Sequence, residues 1–282
     1  MKVLAYAKLN LALRVVGRRE DGLHAIESFV QTVDLADRLT VERREEGVTV
    51  ENSLALPPSE DLAARAATLL LQEKGDPCGA EITVEKRIPA GAGLGGGSSD
   101  AAAVLAALDR LTPPRLPRTR LADLAKRLGA DVSLFLTGGR LRMEGAGERV
   151  MRLPFGGNEQ FVVLVPPVHS VTSLVYARFD RLIPRPAAPR EALELGANDL
   201  EEAAVELYPD LLPYRRGVRA LGADFAGMSG SGSAFFAAFI KRESAAAAAR
   251  ELERAFPQAQ VFLCGPTRCG STVEGDIDAD CD

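Results

Sequence analysis

Apolar and polar positions alternate from Val3 to Val15: Leu9, Leu11, Leu13 and Val15 share one face, and Tyr6, Lys8 and Asn10 the other. A period of two is that of a β-strand, so the pattern predicts one here. Lys8 then points away from the apolar side. A solvated edge lysine is the plain account of it, set against a segment with no other charge between Val3 and Leu13. Shorter, partly alternating runs at Ser28 to Val33, Leu39 to Glu42 and Val48 to Glu51 suit a twisted antiparallel sheet. From Asp61 to Lys74 the period changes to that of a helix, with Leu62, Ala66, Leu69 and Leu70 in a stripe and Gly75 as its C′ residue. Glu81 to Ile88 alternates like a strand with one wet face and stops at Pro89, and Ala101 to Leu108 reads as a helix. Leu121, Leu124, Ala125 and Leu128 give another stripe, closed by Gly129.

Turn residues from Pro154 to Gly157 interrupt the pattern and mark a boundary between two units. The second holds strands at Phe161 to Val165, Ala234 to Ile240 and Val261 to Cys264. Its helices fall around Glu201 to Leu207, Pro213 to Leu221 and Glu243 to Phe256. Residues 1–153 and 154–270 are thus the expected domains. The acidic stretch 271–282 is expected to fray beyond Gly270, and Pro184 to Pro189 to form an exposed loop.

The densest chemistry lies at Pro89, Ala90, Gly91, Ala92, Gly93, Leu94, Gly95, Gly96, Gly97, Ser98 and Ser99. Five glycines let the backbone approach a ligand closely, and a helix that follows turns its free N–H groups toward an anion. Ser98 or Ser99 is the expected N-cap hydroxyl, with Asp100 in the first turn. The Walker A pattern fails, because Gly97 stands where its Lys belongs. Gly91 to Gly96 does match GxGxxG, but the strand before it has a wet face, whereas Rossmann strands are buried on both. A flexible turn before an ordinary helix is the bland alternative. A second loop, containing Gly227, Ser229, Gly230, Ser231 and Gly232, precedes the strand at Ala234. Asp131 heads an apolar segment alone, where an N-cap and a catalytic carboxylate are equally apt readings.

Composition narrows the partners. A net charge of −5 and the lack of any basic, aromatic-rich segment exclude a nucleic-acid stripe. No apolar run is long enough to span a membrane and nothing resembles a signal peptide, so a cytoplasmic protein with a small-molecule partner is expected. Cys78, Cys264, Cys269 and Cys281 form no CxxC pair, and with His24 and His169 alone neither a zinc site nor a disulfide framework is indicated. The Asp276, Asp278, Asp280 series lacks the rest of an EF-hand loop.

A lysine in neutral surroundings, a long glycine cradle, a lone aspartate and a second Gly/Ser loop together resemble the GHMP kinases. Pro89 to Ser99 is similar to the family's central ATP-binding motif, and Met228 to Phe235 to its C-terminal glycine motif. Ala5 to Leu11, Arg19 to His24, Gly129 to Phe135, Ser170 to Tyr176 and Asn198 to Leu200 are closest to the members that act on a cytidine-diphosphate-linked methylerythritol in the non-mevalonate route to isoprenoids. The resemblance implies an α+β, two-domain fold: a ribosomal-protein-like N-terminal domain of the left-handed βαβ type, and a ferredoxin-like C-terminal one. It implies ATP as phosphoryl donor with Mg²⁺, whose protein ligands are not evident, and the substrate's 2-hydroxyl as acceptor; a mevalonate or homoserine type of kinase is the alternative. Lys8 and Asp131 then match the catalytic pair, and Asn10, His24, Thr172 and Tyr176 match positions around the cytidine-bearing substrate. Leu23 stands where Tyr is common, and Asp61 where an Asn near the adenine is usual.

Overall fold

The computed structural model describes residues 1–53, 57, 59–155, 157–182 and 193–274 of the 282-residue chain. Two long antiparallel strands dominate the first domain, β1 (Lys2–Arg18) and β2 (His24–Arg44). β3 (Val48–Asn52) leads through α1 (Leu62–Lys74) to β4 (Gly79–Glu85), which runs parallel to it and antiparallel to β2. Next come α2 (Gly96–Leu111), α3 (Arg118–Leu128) and the short α4 (Val132–Thr137), then the hairpin of β5 (Arg140–Gly145) and β6 (Arg149–Arg152). The second domain comprises β7 (Gln160–Val165), α5 (Thr172–Leu182), α6 (Glu201–Leu207), α7 (Leu212–Arg219), β8 (Phe225–Met228), β9 (Phe235–Phe239), α8 (Arg242–Ala255) and β10 (Gln260–Cys264). Its antiparallel sheet has the order β10-β7-β9-β8.

The chain then returns. In place of a frayed end beyond Gly270, β11 (Ser271–Val273) pairs with β1, Val3 opposite Val273. Its three residues are too few to show a period, so the pattern of polarity could not reveal them. Residues 275–282 and the expected loop at 184–189 lie outside the described residues.

β1 is the spine on which both domains are built. Val3 and Ala5 belong to the core under α1 to α4, Ala7, Leu9 and Leu11 to a core between the two sheets, and Leu13 and Val15 to the core of the second domain. Register shifts after Tyr6, Asn10 and Val15 re-aim the strand between these cores. Its far half is joined to the second domain by backbone bonds, from Gly196 N to Leu11 O and from Leu13 N to Ala197 O. The strand is therefore buried on both faces, and the apparent wet face of Lys8 and Asn10 is an interior one.

Candidate active site

Both glycine loops converge on β1. Lys8 N donates to Leu94 O of the first (3.0 Å), and Asn10 N to the Ser229 hydroxyl of the second (3.1 Å). Ser229 Oγ donates in turn to Gly93 O (2.9 Å), and Ala234 N to Ala92 O (3.1 Å), so the loops are stitched to one another. Gly93 shows why glycine is needed there: at φ +75°, any Cβ would lie 2.2 Å from Ser229 O. Gly227 serves a different contact, the close approach of Gly196. Asn198 Nδ2 donates to both Met228 O (2.7 Å) and Gly230 O (2.8 Å), fixing the second loop's entry.

The N-terminus of α2 behaves otherwise than the sequence reading has it. The helix begins at Gly96 with Gly95 as N-cap in the left-handed region, and no side chain caps it. Ser98 and Ser99 lie inside the first turn; Ser99 is buried and its hydroxyl donates to Tyr6 O (2.7 Å). Without a capping side chain, the helix's leading N–H groups are left for a ligand.

Lys8 and Asp131, 123 positions apart in sequence, meet at 3.9 Å. Asp131 takes the N-cap position of α4 but makes no capping bond, which leaves its carboxylate free to face the cleft. Lys8 is 4% exposed and also donates to Asn10 Oδ1, whose amide is held by Ser28 Oγ (2.8 Å). Burial lowers the Lys8 ammonium below its ordinary value, and the Asp131 charge offsets only part of that.

Around this pair, Thr172 and Ser231 share a hydrogen bond (2.8 Å), and Ser170 Oγ donates to Ser231 O (2.7 Å). His24 stacks on Tyr176 with ring centroids 4.6 Å apart, and its Nε2 is hydrogen-bonded to Asp180 (2.7 Å). Burial, with the nearby Asp131 charge, pushes the Tyr176 phenol up to about 12, so it stays a neutral donor. Leu23 is exposed, leaving this stack as the aromatic wall. Asp61 caps α1 through Ala63 N and Ala64 N and accepts from Asn52.

Sequence reasoning missed four groups. Asp180 lies one helical turn after Tyr176, and the i, i+4 spacing was its available signal. His169 packs its ring against Gly91. Lys86 bridges Asp37 (2.5 Å) and Asp100 (2.7 Å) beneath the cradle, while Asp37 Oδ1 accepts from Arg87 N and Ile88 N just before Pro89. Pairings so distant in sequence carry no local signal.

The chain matches the model of the GHMP kinases N terminal domain over residues 61–139 and that of the GHMP kinases C terminal over 182–258. A 4-diphosphocytidyl-2-C-methyl-D-erythritol kinase from Thiobacillus denitrificans is 43% identical over 260 residues, 90% of each chain. The chain belongs to the GHMP kinases, in the 4-diphosphocytidyl-2-C-methyl-D-erythritol kinase family. A crystal structure of a 4-(cytidine 5'-diphospho)-2C-methyl-D-erythritol kinase superposes on this GHMP kinase with a TM-score of 0.80 and 42% identity, covering 94% of this chain and 99% of that one. Homoserine kinase from Cytophaga hutchinsonii shares the fold at a TM-score of 0.75 but only 18% identity, covering 96% of each chain. This GHMP kinase thus has the two-domain fold implied by its motifs. Among the described residues no helix is long and apolar enough to cross a membrane.

Proposed function

We propose that the chain transfers the γ-phosphoryl group of ATP to the 2-hydroxyl of 4-diphosphocytidyl-2-C-methyl-D-erythritol, giving the 2-phosphate and ADP. The observation that carries this is the Lys8–Asp131 pair set beside two interlocked glycine loops, in a chain over 40% identical to kinases of that name. Phosphoryl transfer asks for positioning and charge neutralisation more than covalent chemistry. The first loop and the uncapped start of α2 offer N–H donors to the nucleotide phosphates. Asp131 accepts the proton of the attacking hydroxyl, and Lys8 stabilises the oxygen as charge grows on it. The Tyr176 ring supplies a stacking face for the cytosine, with His24 fixed beside it by Asp180.

Among the described residues no three His, Cys, Asp or Glu side chains converge on a metal position. The oxygen donors at the site include the half-buried Ser98 and the Asp131 carboxylate, hard ligands of the kind that suit Mg²⁺ alongside nucleotide phosphates. When bound, Mg²⁺ neutralises phosphate charge.

The test is ADP release with 4-diphosphocytidyl-methylerythritol as acceptor, against mevalonate and homoserine. A preference in kcat/KM of at least about 100-fold is expected, the scale set by a site that pairs a substrate's polar groups. Equal turnover of mevalonate, or ATP binding without turnover of any acceptor, overturns the reading.

A further inference from the structure

Between Glu85, the end of β4, and Gly96, the start of α2, the glycine cradle has no helix or strand of its own. Gly91, Gly93 and Gly95 stand in the left-handed region within it, at φ +67°, +75° and +77°. A segment with so much backbone freedom presents its N–H donors in one direction only where other groups hold it. Its middle is held through the carbonyls of Ala92, Gly93 and Leu94, which accept from Ala234 N, the Ser229 hydroxyl and Lys8 N. Its two ends are held by a separate set of side chains. At the entry, Asp37 of β2 is fully buried and accepts at Oδ1 from Arg87 N (2.5 Å) and Ile88 N (2.8 Å), the last residues before Pro89. At the exit, Asp100 lies one turn into α2 and is 5% exposed.

The Lys86 ammonium reaches both, 2.5 Å from Asp37 Oδ2 and 2.7 Å from Asp100 Oδ2. One cation thus ties the residues that lead into the cradle to the helix that leads out of it. It also lies against the start of that helix: a Cβ on Gly96 would stand 3.3 Å from Lys86 Nζ. A cation there works against the helix dipole, so the stability of α2 does not account for its place. What it offsets is Asp100. A lone carboxylate one turn from the uncapped N–H groups would repel the phosphates that those groups are placed to receive.

We propose that Lys86 is a positioning residue for phosphoryl transfer: through Asp37 and Asp100 it sets the separation of the cradle's two ends, and with it the geometry in which the loop's N–H groups meet the nucleotide phosphates. The role rests on the reading that the cradle holds the phosphates of ATP. Lys86 acts through the loop, because its ammonium is engaged by the two carboxylates. A loop held in its binding shape before the ligand arrives spends less of the binding free energy on being ordered, so loosening the clamp weakens the nucleotide and spares the acceptor.

Calorimetric titration of the full chain with a non-hydrolysable ATP analogue and, separately, with cytidine diphosphate tests this. Lys86→Met should bind the analogue at least about tenfold more weakly and cytidine diphosphate within about twofold of the native chain, with KM for ATP rising in step and KM for the acceptor unmoved. Lys86→Arg keeps a cation between the carboxylates and should recover the analogue to within about threefold. A lysine that is merely structural lowers the folded fraction, hence the binding stoichiometry and kcat, and leaves the affinity of the folded molecules as it was. Lys86→Met with Asp100→Leu removes the cation without stranding the Asp100 carboxylate, and serves if the single variant does not fold; about fivefold weaker analogue binding is expected of it. Native affinity for the analogue in either variant, equal weakening of both ligands, or no recovery in Lys86→Arg overturns the proposal. A native chain that does not bind the analogue at all overturns instead the reading of the cradle as the ATP site, and the proposal with it.

Discussion

Lys8, buried, and Lys86, largely covered, both face carboxylates, yet their ammonium groups shift in opposite directions. Lys86 sits between Asp37 and Asp100 at 2.5 and 2.7 Å; burial alone would lower its ammonium, but the two carboxylates outweigh that and raise it. Lys8 has one carboxylate at 3.9 Å, belonging to a side chain that is 39% exposed, and its ammonium is lowered. Lys86 is held in the charged state and serves as a strut beneath the cradle. Lys8 is undercompensated, so a developing negative charge in the cleft would gain the most from it. On the proposed mechanism, one chemical group thus serves architecture or catalysis according to how fully its charge has already been met.

The sharpest way to break this contrast is at Asp131. Asp131→Asn should lower kcat by about 10²–10⁴ while ATP still binds, measured by steady-state turnover beside equilibrium nucleotide binding. Near-normal turnover would remove Asp131 from the mechanism. Lys86→Met should instead act on stability: two buried carboxylates lose their cation, at a cost of about 3–5 kcal/mol in urea unfolding. If the variant is as stable as the parent, Lys86 is no strut.

A smaller effect sharpens the same point through pH. Burial drives the Asp100 carboxyl up to about 7, with Lys86 drawing it back and Asp37 adding to the rise. A carboxyl raised on folding favours the folded state in its protonated form. Its contribution is full below about pH 4 and is lost as the pH rises through about 7. Asp100→Asn lacks this dependence, so the native chain should lose ground to the variant in thermal melts between those values. Parallel melting curves across that range would contradict the assignment.

Much of this was legible beforehand, for identifiable physical reasons. The α1 stripe and its Gly75 cap, the apolar strand at Phe161 and the amphipathic α8 follow local periods that need no tertiary information. Lys8 and Asp131 could be singled out because each is a charge in an apolar run, an anomaly visible in one dimension. Their meeting could not, since it depends on β1 passing the head of α4. The Asp37, Lys86 and Asp100 cluster was invisible because its members come from three separate segments, and only folding brings them together and buries the two carboxylates. The serine cap at α2 failed because a left-handed Gly95 starts the helix earlier, where glycine alone turns the chain.

The course of β1 also has a consequence in time. Its residues pair with Val273, 270 positions away, and with Asn198, so their partners are among the last to be placed. Contacts of such sequence separation close slowly, because the intervening chain must first give up its freedom. Lys8 stands on that strand, and its surroundings are finished only when the far end of the chain comes home. A truncated molecule without the second domain therefore loses both the second glycine loop and the bonds from Ser229 and Ala234 that hold the first one in place.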